Sequence, residues 1–305
     1  MNERRIIWAT MRAVIETDRF KRKKSGKKSK SHWNLFQSLL NYFVLLLKLS
    51  GLYRRGLRNA KNIRINKAVF EFNSLPLSFN GLKILHLSDL HIDTLPGIED
   101  LIIEKIRPLE YDLCLITGDY RKDTQGPSHH IYPAIEKIIR NIRAQEGIYG
   151  ILGNHDSYLM VKHLERMGVH MLINESIELP RKDEKIIITG TDDPYYYFTD
   201  MAIEALEETE GPFKIAMVHT SELFDIAAKN HYDLYLCGHT HGGQICLPGG
   251  FPLITHQFEG KQFFRGKWKF NELQGYTSSG CGVSAIPIRF NCPGEITLIE
   301  LIRNI

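Results

Sequence analysis

Thiols are scarce in this chain. Its 305 residues carry five cysteines, Cys114, Cys237, Cys246, Cys281 and Cys292, an odd number with no C-x-x-C spacing. That argues against a structural zinc knot and points to a reducing compartment. Long apolar runs are missing too: the oiliest stretch, residues 35–53, is interrupted by Gln37, Asn41 and Lys48. A spanning helix needs about 20 predominantly apolar residues, so this one is expected to lie in a membrane surface rather than cross it. Acidic residues are almost absent from the first 67 positions, where 18 Lys and Arg stand against three acids; the remainder holds 21 against 32. The basic run has no interleaved aromatics, although Trp33 stands close by, so single-stranded nucleic acid is not its expected partner. Arg4 and Arg5 are followed by Arg12 and Glu16 and by no small-residue cleavage site, which argues against export. No internal repeat is evident.

What the chain does have is an ordinary folded composition, 43% hydrophobic and 24% charged, which excludes a disordered or collagen-like polymer. Two regions are expected: a basic arm, residues 1–67, and a body, residues 68–305. Within the arm, FKRKKSGKKSKS (20–31) is too charged to fold and is expected to stay extended. In residues 35–53, Leu35, Leu39, Tyr42, Phe43 and Leu46 recur at helical spacing opposite Asn34, Gln37, Ser38, Asn41 and Lys48. With Arg54, Arg55, Arg58, Lys61 and Arg64 beside it, the helix is expected on an anionic membrane surface, cytoplasmic and peripheral on the inner face of the cell membrane. Periodicity equally allows a helix docked on the body.

The body repeats one pattern. KILHLSDLH (83–91), DLCLITGD (112–119), GIYGILGNHD (147–156), FKIAMVHT (213–220) and DLYLCGHTH (233–241) are each an apolar run of strand character closing on Asp, Asn or His. Segments 98–107, 131–145, 158–168, 199–209 and 221–229 have helical length and period, so a layered α/β fold is expected. Ligands in such sheets bind beyond the carboxyl ends of strands, where these groups converge. Two later runs, GYTSSG and EITLIEL, are expected to complete a second sheet.

The convergent set is Asp89, His91, Asp119, Asn154, His155, His219, His239 and His241, all oxygen and imidazole donors. That chemistry suits manganese or iron, with zinc also accommodated, and the donors outnumber the needs of one ion. Two divalent ions about 3.5–4 Å apart would use them, turning a bridging water into a nucleophile for phosphoester hydrolysis.

Five elements, D-L-H (89–91), G-D (118–119), G-N-H-D (153–156), His219 and G-H-T-H (238–241), resemble, in order, the motifs of the calcineurin-like metallophosphoesterases over most of residues 81–301. The resemblance implies a two-sheet α/β/β/α sandwich. It implies that Asp89, His91, Asp119 and His241 hold one ion and Asp119, Asn154, His219 and His239 the other, with Asp119 as bridge. It further implies that His155 protonates or hydrogen-bonds the leaving oxygen while Asp156 keeps its imidazole charged and oriented.

GHTHGGQICLPGG (238–250) with TDDP (191–194) looks like the bacterial membrane-associated branch that includes enzymes resembling UDP-2,3-diacylglucosamine pyrophosphatases. That branch implies a lipid-linked pyrophosphate substrate, giving lipid phosphate and UMP, and a monomer is expected. A general phosphodiesterase or nuclease is the alternative. A non-catalytic scaffold of the same fold usually lacks ligands, and none is missing here. His86 reads as a core or supporting histidine. His129, His130, His163, His170, His231 and His256 have no supporting motif. Cys237 reads as buried, and Tyr195, Tyr196, Tyr197 and Phe198 as either a substrate rim or ordinary packing.

Overall fold

The computed structural model describes residues 3–25, 30–253, 255 and 257–304, with side chains left undescribed for residues 20–37; His256 lies outside. Twelve strands are present among them. They are β1 (Arg64–Phe72), β2 (Leu82–Leu87), β3 (Leu113–Ile116), β4 (Ile148–Gly150), β5 (His170–Met171), β6 (Glu175–Arg181), β7 (Glu184–Gly190), β8 (Lys214–Met217), β9 (Leu234–Cys237), β10 (Gly266–Phe270), β11 (Leu273–Thr277) and β12 (Glu295–Arg303). They form two six-stranded sheets, in the orders β1-β12-β2-β3-β4-β5 and β10-β11-β9-β8-β7-β6.

Period-two alternation explains why both sheets are buried on both faces. On β2, β3, β8 and β9 the residues Ile84, Leu113, Leu115, Ile215, Met217, Leu234 and Leu236 point into the core between the sheets. Their neighbours Leu85, Cys114 and Ile116 face an outer helical layer on the first sheet, and Ala216, Tyr235 and Cys237 face another on the second. The result is the α/β/β/α sandwich that the motifs implied.

The outer helices follow the sequence pattern but are shorter. Three of them, α1 (Ile98–Ile106), α2 (Tyr132–Ile139) and α3 (Val161–Arg166), are flanked by 3-10 turns or loops; α4 (Pro194–Tyr197), α5 (Asp200–Glu207) and α6 (Phe224–Lys229) follow on the other side. The N-terminal region adds three helices, αA (Glu3–Ser25), αB (Lys30–Leu49) and αC (Leu52–Lys61).

Three expectations are corrected. EITLIEL does not join the second sheet: as β12 it pairs parallel with β1 and antiparallel with β2 in the first. The partner strand RINKAVFEF, unread in the sequence, supplies the edge it needed. The basic run is not wholly extended, because αA continues through Ser25 and αB begins at Lys30. Nor is the N-terminal region a free arm. Trp8 is buried in the outer core of the first sheet together with Ala60 and Ile63.

αB is docked on the body, one of the two readings that the periodicity of residues 35–53 allows. Leu47 is buried, and Leu40, Phe43 and Val44 pack with it on Ile286, Ile288 and Ile245. αC approaches the same loop so closely that a Cβ on Gly56 would collide with Ile288 and Phe290. The opposite face of αB leaves Leu39, Tyr42, Leu45, Leu46 and Leu49 exposed. No helix among the described residues is long and apolar enough to cross a membrane.

Candidate metal centre

β2, β3, β8 and β9 end on the same side of the sandwich, and the loops beyond their last residues carry Asp89 and His91, Asp119, His219, and His239 and His241 respectively. The loop after β4 adds Asn154 and His155. The backbone there is contorted: Asp89, His91, Asp119, His239 and His241 all have positive φ, between 36° and 70°. Such conformations cost side-chain-bearing residues on the order of 1–3 kcal/mol each and cluster where function demands them. Close approach adds a demand for glycine. A Cβ on Gly238 would collide with Ser88 Oγ and the Asp89 carboxylate, and one on Gly153 with Asp119.

The donors form contiguous triads: Asp89, His91 and His241 in one, Asp119, His219 and His239 in another, and His91, Asp119 and His155 linking them. His91 Nε2 and His241 Nε2 are 3.1 Å apart, and His241 Nε2 is 3.5 Å from Asp89 Oδ1. On the other side Asn154 Oδ1 lies 3.0 Å from His219 Nε2 and 2.9 Å from His239 Nδ1. Asp119 Oδ2 sits between, 3.5 Å from His91 Nε2 and 3.3 Å from His219 Nε2. Donors around an ion with bonds of about 2.1 Å are about 3.0 Å apart at right angles and about 3.4 Å at tetrahedral angles. The cage therefore has the spacing of metal donors, and its oxygen and imidazole groups suit divalent ions.

Ring orientation is fixed from outside the cage. His91 Nδ1 donates to the Arg121 carbonyl at 2.8 Å and His219 Nδ1 to the Thr117 carbonyl at 2.7 Å, so each turns Nε2 inward. Backbone carbonyls commonly orient ligating imidazoles in this way. Burial pushes Asp89 up to about 6 and His91 down to about 4. Burial also opposes ionisation of Asp119, but His219, His155 and His91 outweigh it and hold this carboxyl well below the usual range. A buried carboxylate kept ionised among imidazoles is primed to receive cations.

His155 is the most open of the set, its side chain 18% exposed, with Nε2 4.0 Å from Asp119 Oδ2 and Nδ1 against the Lys122 carbonyl. Asp156 does not orient it, contrary to expectation. The Asp156 carboxylate accepts the backbone N–H groups of Asp119 at 2.8 Å, Tyr120 at 2.9 Å and Gly153 at 2.8 Å. It ties the β3 and β4 loops together, a role invisible in the dipeptide His155-Asp156, where chain adjacency suggests contact between the side chains.

Other residues around the cage carried no motif. Arg289 is fully buried and donates to the carbonyls of His241, Ser279, Gly280 and Gly282, clamping the loops under Asp89 and His241. Tyr195 lies with its ring centre 4.5 Å from that of His239 and stacks on Tyr196 and on Phe258, which is exposed, so part of the tyrosine run does border the cage. His86 is buried in β2, its Nε2 2.9 Å from Thr117 Oγ1, and all five cysteines are free and buried.

Residues 82–243 match the calcineurin-like phosphoesterase family. The metallophosphoesterase YkuE of Bacillus subtilis is 31% identical over 235 residues, covering 74% of this chain and 81% of that protein. The phosphodiesterase YaeI of Escherichia coli is 28% identical over 253 residues, covering 79% and 87%. A zebrafish (Danio rerio) transmembrane protein with a metallophosphoesterase domain is 32% identical over 248 residues, covering 74% and 54%. With its sandwich and its cage, this chain belongs to the calcineurin-like phosphoesterase family. It is a metal-dependent phosphohydrolase that uses divalent ions.

Proposed function

We propose that the protein hydrolyses a phosphodiester or pyrophosphate bond in a lipid-linked substrate, such as UDP-2,3-diacylglucosamine, at an anionic membrane surface, with two manganese ions as the working pair. Asp89, His91 and His241 would hold one ion, Asn154, His219 and His239 the other, and Asp119 both. When bound, such a pair neutralises phosphoryl oxygens and acidifies a water at neutral pH. The observation that carries this reading is Asp119 Oδ2 set between His91 and His219 in a cage of oxygen and nitrogen donors.

The chain's own part is positioning and proton transfer. Asp156 and Arg289 fix the loops, so the donors need little reorganisation when substrate arrives. His155 donates its Nδ1–H to the Lys122 carbonyl, so in the imidazolium form its Nε2–H would be the proton given to the departing oxygen, leaving a neutral imidazole.

The lipid-linked part of the proposal draws on αB. Its exposed leucines and Tyr42 are flanked by exposed Lys48, Arg54, Arg55 and Arg58. Ile245, which packs with αB, is followed along the chain by exposed Leu247, Phe251 and Leu253 and by Phe258, which stacks on Tyr195 beside the cage. An apolar face rimmed by basic groups binds anionic bilayers, each charge contributing about 1 kcal/mol near the surface. A substrate held in the bilayer would thus meet the site from that side. The phosphodiesterase name of the Escherichia coli relative favours a second reading, a general phosphodiesterase acting on soluble diesters.

A metal-by-substrate activity matrix separates them. Chelator-stripped protein should be inactive and manganese should restore it. With the diacylated nucleotide sugar in anionic vesicles, the restored enzyme should release UMP faster than it cleaves a soluble phosphodiester. Turnover of the soluble diester alone would reject the lipid-linked substrate and leave the general phosphodiesterase.

A further inference from the structure

The active-site loop Gly153–Tyr158 is held from outside the matched region, by αA. Trp8, Arg12 and Glu16 stand four residues apart and so share one helix face. Trp8 Nε1 donates to Asp192 Oδ2 at 2.7 Å, and Arg12 Nη1 donates to Asp192 Oδ1 at 2.5 Å. The other end of the guanidinium, Nη2, donates to the carbonyls of Asp156 at 2.8 Å and Gly153 at 3.4 Å. Those carbonyls bracket Asn154 and His155. Arg12 Nε donates to Glu16, which in turn accepts Ser157 Oγ at 2.7 Å and the Tyr158 N–H at 2.9 Å. The guanidinium also lies 3.2 Å from the Tyr197 ring centre, and Arg12 is only 1% exposed.

We infer that Arg12 is a positioning residue of the metal centre: the N-terminal helix, through Arg12 and Glu16, sets the loop that presents Asn154 to the second ion and His155 to the leaving group. This rests on the dinuclear reading above and extends it to a residue outside the family motifs. A planar fork is required, because one group must face Asp192, two loop carbonyls and Glu16 at once, and an ammonium on a flexible stem cannot. The loop is also tied to Asp119, whose Oδ1 accepts the His155 N–H at 2.8 Å, so displacement of the loop reaches the shared carboxylate. Errors of about 1 Å in placing reacting groups cost about 100-fold in rate. The rest of αA is fastened separately, Arg4 to Glu204 and Glu208 and Arg5 to Glu165 and Glu175, so the helix need not detach when Arg12 changes.

The test uses the full chain with Arg12→Lys, and Arg4→Ala as control. Two properties are measured well below the melting temperature: manganese affinity at each of two sites by calorimetric titration, and kcat and KM on an alkyl phosphodiester and on a nitrophenyl phosphodiester. Arg12→Lys should weaken one manganese site about 10-fold and leave the other, and should lower kcat about 10- to 100-fold with little change in KM. The loss should be smaller for the nitrophenyl ester, whose leaving group needs no proton. Arg4→Ala should match the wild type in all of these. If Arg12→Lys does not fold, Glu16→Gln carries the same test with a smaller effect in the same direction. A folded variant that melts lower but keeps wild-type kcat and both wild-type manganese affinities makes Arg12 a plain structural brace and overturns the inference. Wild-type protein that binds no manganese overturns the dinuclear reading, and this inference with it.

Discussion

Asp119→Asn should lower hydrolysis by at least about 1,000-fold at saturating manganese and reduce bound metal from two ions to one. The side chain keeps its shape, and its Oδ1 can still accept the His155 N–H, so the loop need not move. What changes is the other atom. Oδ2, now 3.5 Å from His91 Nε2 and 3.3 Å from His219 Nε2, becomes an amide nitrogen with no lone pair to share and no charge. Metal content by mass spectrometry alongside kcat reads both halves. A variant with two ions and more than a tenth of wild-type kcat would remove Asp119 from the bridging position.

His155→Gln should act on rate alone. The residue is the most open of the set, and the other donors keep to the two triads without it, so two ions should remain bound. General acids of this kind contribute about 100- to 10,000-fold. The loss should fall in that range for an alkyl diester and shrink for a nitrophenyl ester, whose departing oxygen leaves without protonation. An equal loss on both substrates would contradict the leaving-group role, and a loss of metal would make His155 a ligand.

The placement of Asp119 and its partners was legible because each sits just beyond an apolar strand, and a parallel β-α-β alternation brings strand ends together whatever their distance in sequence. The coarse layers were legible for the same reason. The sheet that receives EITLIEL was not, since strand pairing is non-local and its partner β1 ends a basic segment read as arm. Charge hid αA as well. Trp8, Arg12 and Glu16 make a polar stripe that looks like an interrupted apolar helix, and only Asp192 on the far side of the sequence reveals it as a buried face. αB was legible in half: its leucines show a face, but periodicity could not say that Leu47 packs inward on Ile286 and Ile288 while Leu46 stays outside. Asp156 misled through adjacency, because a carboxylate next to a histidine in sequence can turn to backbone amides instead.

The most direct measurement is anomalous diffraction from crystals of the wild-type protein loaded with manganese. Two peaks about 3.5–4 Å apart are expected, one among Asp89, His91 and His241, the other among Asn154, His219 and His239, with Asp119 touching both. A single peak, or peaks away from Asp119, would contradict the paired-ion centre.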